Sequence, residues 1–321
     1  MVKTLNDDGL SLVKLIQLSR DDPNLMKSVH NKLEAETRKA RNPILLQGPC
    51  SIHPAHTAFK TGLAMLSDKL DLDVASLMRK LHTWFKVSPA RREDMMVLYV
   101  FYEEFEGFYL RLVDSRWLCM EPVLERFLEH IESTKEYFLN CLPNSTDQSN
   151  KEAVKTESYK AIVSFLKPAS VAKTVCCAKF ALFMAKQNKT FLTQLQHQKP
   201  MIHKLYELCI QLVQKFMNLI VKSDKITNDG PALKALNLDD KDNLLPTSSC
   251  NFGEGVKNMK DKLKTEERPK VLLAFQQAVV ENVKYLQSHL PLDRKLYANL
   301  RFLSPVLRKD QTLKFTLSRV A

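Results

Sequence analysis

From Leu72 onward, apolar residues recur at three- and four-residue intervals and the alternation expected of strands nearly vanishes, which is the spacing of helices that bury one face. Leu77, Leu81, Trp84 and Phe85 begin this pattern. Leu272, Phe275, Val279, Val283, Leu286 and Leu290 repeat it up to Pro291. Only 7 of the 321 residues are glycine, which argues against an enzyme built on glycine-rich phosphate loops or many tight turns. A chain patterned this way is expected to fold mainly as packed helices.

The exception lies at the N-terminal end. Leu10 to Leu18 reads as a strand running into a turn at Ser19 to Asn24, where aspartate or serine can cap and Pro23 suits a first helical turn. A helix from Pro23 to Arg41 follows, with Leu25, Met26, Val29 and Leu33 on one face. Ile44 to Leu46 is a second strand candidate, and Phe59, Leu63 and Leu66 mark a helix after His53. Strand, helix, strand, helix is a small α/β unit. The expected architecture is therefore mainly α with a small α/β part, divided into residues 1–71 and 72–321.

Within the second part, Ser88-Pro89 looks like a helix start, and Met95, Leu98, Tyr102 and Phe105 continue it toward Gly107. Glu121-Pro122 opens one amphipathic helix bearing Leu124, Phe127, Leu128, Ile131 and Phe138. Two more are expected over Val171 to Ala185 and along the stripe from Met201 to Leu219. The polar stretches 144–151 and 223–252 read as mobile loops.

Lys and Arg number 48 against 36 Asp and Glu, a net charge of +12 with a pI near 9.3. That excess suits an anionic partner such as DNA, although any one cluster is more simply solvated helix surface. The clusters are Arg38-Lys39-Ala40-Arg41, Arg79-Lys80, Arg91-Arg92 and the region from Lys257 to Lys270. Seven cysteines in a lysine-rich chain with no secretory signal read as reduced thiols of a cytosolic or nuclear protein. No apolar run approaches the eighteen or so residues of a membrane span.

Three constellations could carry chemistry. Cys50-x-x-His53-x-x-His56 offers zinc-ligand residue types, but the spacing is compressed and no partner pair lies elsewhere, so packing and hydrogen bonding are the simpler role. Asp21 and Asp22 follow the first strand, where α/β sheets place metal-binding carboxylates; the alternative is a helix cap. Arg116-Trp117 couples a cation to a large ring and could stack an unpaired base beside a phosphate, or simply anchor the next helix.

Together these pieces resemble the hAT superfamily of DNA transposases and the genes derived from them. Asp21-Asp22-Pro23-Asn24 resembles the turn carrying the second acid of that family's triad, and the segment from Gly48 to Lys60 resembles its C-x-x-H block. The segments Phe85 to Asp94, Asp114 to Leu118, Gln198 to Tyr206 and Tyr285 to Asp293 resemble further blocks in the same order. The resemblance implies part of an RNase H-like core joined to a large all-α insertion domain. It also implies a catalytic remnant at Asp21, with Asp22 the alternative, and base stacking by Trp117; Arg116, with Arg91 and Arg92 on the basic helices, completes the candidate nucleic-acid contacts. The family's other two acids have no matching position here, so the expectation is an inactive, domesticated or truncated transposase remnant. No metal is expected unless flanking sequence supplies those acids, in which case two Mg2+ ions and active strand transfer would follow. DNA in the nucleus is the expected partner. A helical scaffold for protein partners or self-association is the alternative.

Overall fold

The computed structural model describes residues 7–9, 17–20, 24–39, 46–49, 52–104, 107–113, 119–196 and 201–303. The described elements are mainly helical. The chain divides into two compact units, Met1–Ala55 and His56–Ala321.

In the first unit, strand β1 (Gln17–Arg20) pairs in parallel with β2 (Leu46–Pro49), Gln17 opposite Leu46 and Arg20 opposite Pro49. Helix α1 (Asn24–Lys39) makes the crossover that a parallel pair requires. Both strands lie a few residues C-terminal to the apolar runs that announced them. On α1, Leu33 and Thr37 are buried, while Arg38 and Glu34 pair across one turn at 2.5 Å. Asp21, Asp22 and Cys50 lie outside the described residues.

Helix α2 (Ile52–Leu70) crosses the unit boundary, which falls between Ala55 and His56 rather than after residue 71. The physical reason is packing. Phe59 and Leu66 are buried, and Gly62 sits so close to helix α14 (Arg268–His289) that an added Cβ would stand 2.7 Å from the Ala278 carbonyl oxygen.

Helix α3 (Val74–Lys86) is capped by Asp73, whose carboxylate accepts from the Ser76 N–H at 2.9 Å. Helix α4 (Pro89–Phe101) starts as its Ser-Pro signal predicts, with Ser88 accepting from the Arg91 N–H. Its buried face is Met95 and Tyr99 instead of Leu98 and Tyr102, and it stops at Tyr102, before Phe105. The stop is a Schellman turn. Glu103 takes a left-handed φ of 54°, with Glu103 N donating to Val100 O and Glu104 N to Tyr99 O.

The single helix expected after Pro122 is broken at His130 into α5 (Met120–Glu129) and α6 (Ile131–Glu136), followed by a π turn over Tyr137–Cys141. The fully buried His130 meets the Glu104 carboxylate through Nδ1 at 3.0 Å. That carboxylate also accepts from Ser133 N and Ser133 Oγ, supplying the partners that the start of α6 lacks. Tyr99 stacks on the His130 ring, with centroids 4.2 Å apart.

The stretch 144–151 is not a plain loop. Asp147 caps helix α7 (Gln148–Ala153), and Thr156 caps α8 (Glu157–Leu166). Two aromatic clusters then organise the bundle. Trp84, Phe85, Tyr109, Tyr137, Phe138 and Tyr159 meet where α3, α8 and the π turn converge. Phe180 of α9 (Val171–Gln187) stacks on Phe275 of α14 at 4.1 Å, and Phe252 stands edge-on to both.

Helix α10 (Lys189–Leu195) leads toward α11 (Ile202–Ile220), whose buried stripe packs against α14 and α15 (Lys295–Asn299). Residues 223–252, expected to be a mobile loop, are built into this framework. They contain helix α12 (Gly230–Ala235), three short 3-10 turns and buried Leu233, Leu238 and Phe252. Helix α13 (Glu254–Lys257) then packs on α9.

Candidate nucleic-acid interface

Basic residues converge at the exposed side of α3. Arg79, Lys80 and Thr83 lie one turn apart there, with Val87 a turn further on, and the Ser88 cap turns the chain into α4. Arg91 reaches back from the first turn of α4. Its guanidinium lies 3.9 Å from the centroid of the Trp84 ring, and Nη1 donates to the Trp84 carbonyl at 3.3 Å. Two constraints hold this arginine: the ring's negative face attracts the cation, and the carbonyl fixes its rotation.

The start of α8 forms the opposite wall. Thr156 accepts from Tyr159 N at 3.2 Å, and Ser158 stands beside it. Between the walls is a cleft of about 300 Å³ lined by Arg79, Lys80, Thr83, Trp84, Val87, Arg91, Thr156 and Ser158. No carboxylate lines it. Lys80 Nζ rests on Ser76 Oγ at 3.1 Å, which keeps the ammonium on the helix face.

His82 titrates below its ordinary value, first because burial disfavours its charged form and then because Lys86 and Arg111 repel a further positive charge. Three cations and the hydroxyl groups of Thr83, Thr156 and Ser158 line the cleft, the Thr156 hydroxyl already donating to Ala153 O and accepting from Tyr159 N. With three cations and no carboxylate, such a lining favours anionic oxygens over a metal ion.

The candidate residues fare unevenly. Arg91 lies in the cleft. Its neighbour Arg92 points elsewhere, 5.9 Å from the Phe108 ring centroid, so the two adjacent arginines do not act on one ligand group. Arg116 and Trp117 lie outside the described residues. His53 is exposed and His56 half-buried, one on each side of the unit boundary. Among the described residues, no group of three or more His, Cys, Asp or Glu side chains is arranged to hold a metal. Arg79-Lys80 stands out in sequence only as one basic cluster among several. Nothing local reveals that it faces Arg91, Thr156 and Ser158, because α8 comes from some 75 residues downstream.

Cys176, Cys177 and Cys209 are buried and free, and burial pushes all three thiols up, Cys176 to about 12. They are core residues, not nucleophiles. No single described helix is long and apolar enough to cross a membrane. Comparison with known protein families, curated proteins and solved structures finds no match for this chain.

Proposed function

We propose that the chain is a transposase-derived protein without nuclease activity that binds nucleic-acid backbone through the cleft between α3, α4 and α8. The observation that carries this reading is the cleft's composition: Arg79, Lys80, Arg91 and three hydroxyl groups, with no acid among its lining residues. Phosphodiester oxygens satisfy such a set without any base-specific contact. The parallel β1-α1-β2 unit supports an RNase H-like origin for the N-terminal part, and the mainly helical remainder is what an all-α insertion domain would require. On this reading the protein acts in the nucleus.

Fluorescence anisotropy with labelled single-stranded and duplex DNA tests it. Three phosphate contacts give log affinity against log salt a slope of about −2.7 for duplex DNA and about −2.1 for a single strand. Lys80→Glu, at a half-exposed position, weakens binding to every sequence and makes the slope shallower. Undetectable or salt-independent binding refutes the proposal. Magnesium-dependent cleavage abolished by Asp21→Ala refutes its inactive part.

A second reading has its own observation. Val97, Val100 and Phe101 on α4 are 70%, 68% and 74% exposed, an apolar edge suited to a protein partner. Partners retained after nuclease digestion and lost with Phe101→Ser, together with no DNA binding, would favour a helical interaction scaffold.

A further inference from the structure

A second cavity, larger than the basic cleft, lies between α2, α14 and the irregular segment 238–247 and measures about 590 Å³. That volume is typical of small-molecule sites. Its floor is apolar: Met65 from α2, Leu273 and Val280 from α14, and Leu238, Leu244 and Leu245 from the irregular wall. Leu273 to Lys284 on α14 spans about 16 Å, or three helical turns, so the groove is elongated.

Its rim is charged unevenly. Lys284 is committed to Asp239 at 2.6 Å and Glu281 at 3.1 Å. Lys69, Lys222 and Lys241 also line the groove, and none has a carboxylate partner among the described residues. An apolar floor under three uncommitted ammonium groups calls for a ligand with an aliphatic body and an anionic head. We propose that this groove binds an elongated amphipathic carboxylate, its chain along α14 and its head held by these lysines.

The same geometry disfavours a peptide. Along the wall, Leu244 N, Leu245 N, Leu245 O and Pro246 O are already hydrogen-bonded within the chain, and proline has no N–H. An added strand finds little to pair with. A segment bearing many acids would also run alongside Asp239 and Glu281. A single anionic head needs only one end of the groove.

Isothermal titration calorimetry with dodecanoate below its micelle concentration tests the proposal, with dodecanol as the uncharged chain of equal length. The expected result is one saturable site per chain that prefers dodecanoate. Leu273 is 46% exposed, so Leu273→Asp is compatible with folding and sets a charge on the floor. It is expected to weaken dodecanoate by about tenfold, the consequence of placing one desolvated charge against the chain. The pair Lys222→Gln with Lys241→Gln is expected to weaken it by about threefold while sparing dodecanol, as suits partly exposed ion pairs. Circular dichroism confirms that each variant is folded. The proposal is overturned if dodecanoate does not saturate, if dodecanol binds equally well, or if folded Leu273→Asp binds as the parent does. An acidic peptide that occupies the groove while dodecanoate does not would overturn it as well.

Discussion

Glu103 is the residue whose replacement best tests the reasoning about how α4 ends. Its φ of 54° places it in the left-handed region, where the Schellman turn puts the residue after the helix cap. Its side chain is exposed, so truncation removes strain and little else. The left-handed conformation costs a residue with a Cβ about 1–2 kcal/mol. Glycine's greater freedom in the unfolded chain takes back about 0.5–1 kcal/mol. Glu103→Gly should therefore stabilise the protein by about 0.5–1 kcal/mol, a rise of roughly 1–4 °C in Tm for a chain of this class. Glu103→Ala keeps the Cβ and should gain almost nothing. Asp71 ends α2 in the same way, with φ 49° and Leu72 N donating to Ser67 O, but aspartate tolerates this region better, so Asp71→Gly should gain less. Urea unfolding followed by tryptophan fluorescence gives the order, provided the slope stays constant. A destabilised Glu103→Gly, or an alanine variant that gains as much, would refute the strain argument.

Other outcomes follow from the same geometry. Glu104→Gln should cost about 2–3 kcal/mol in urea unfolding, because three donors converge on a carboxylate that is only 11% exposed; a neutral effect would remove it as the pin of the His130 break. Under native conditions iodoacetamide should modify the exposed Cys119 and Cys141 and spare Cys176, Cys177 and Cys209, as read by peptide mass spectrometry; equal rates would contradict the packing of α9 and α11. The hydrogen bond from Lys234 at 2.8 Å holds Asp293 below the usual carboxylate range. Its stabilisation is thus present above the unfolded value near pH ~4 and lost as pH falls through the lower folded value. Lys234→Met should cost about 0.5 kcal/mol or less at neutral pH, the pair being exposed, and nothing at strongly acid pH.

Local signals made some elements legible and left others hidden. Ser88-Pro89 announces α4 because cap and proline act on the next few residues alone, and the period of α14 is read from its own face. The β1-α1-β2 order was visible, although both strands lie a few residues later than their apolar runs. The break at His130 was hidden because apolar spacing continues through it; its cause, Glu104, is 26 residues away. Arg91 was recognisable as a candidate. The cleft was not, since Arg79 and Lys80 become a site only when α8 brings Thr156 and Ser158 against them. The buried face of α4 differs from its apolar spacing for a similar reason: Tyr99 is drawn inward to stack on a histidine that only the tertiary fold supplies.

Residues 223–252 explain how a chain poor in glycine and strands holds a long irregular segment in place. Backbone carbonyls in such a segment need partners once it is packed. Here the partners are side-chain amides on α14. Gln287 Nε2 donates to Leu233 O at 2.7 Å and Leu236 O at 3.0 Å, and Gln276 Nε2 donates to Leu245 O at 2.7 Å. These two glutamines, like Asn282, interrupt the apolar stripe of the helix, and each is only 7% exposed, so on pattern alone they look like flaws in a core helix. Their effect is to fasten the segment at three carbonyls along the same helix that forms the floor of the large groove. Leu245 is both an anchored carbonyl and an apolar wall residue of that groove. The wall is therefore set before any ligand arrives, and binding there need not bear the entropy of ordering a loop.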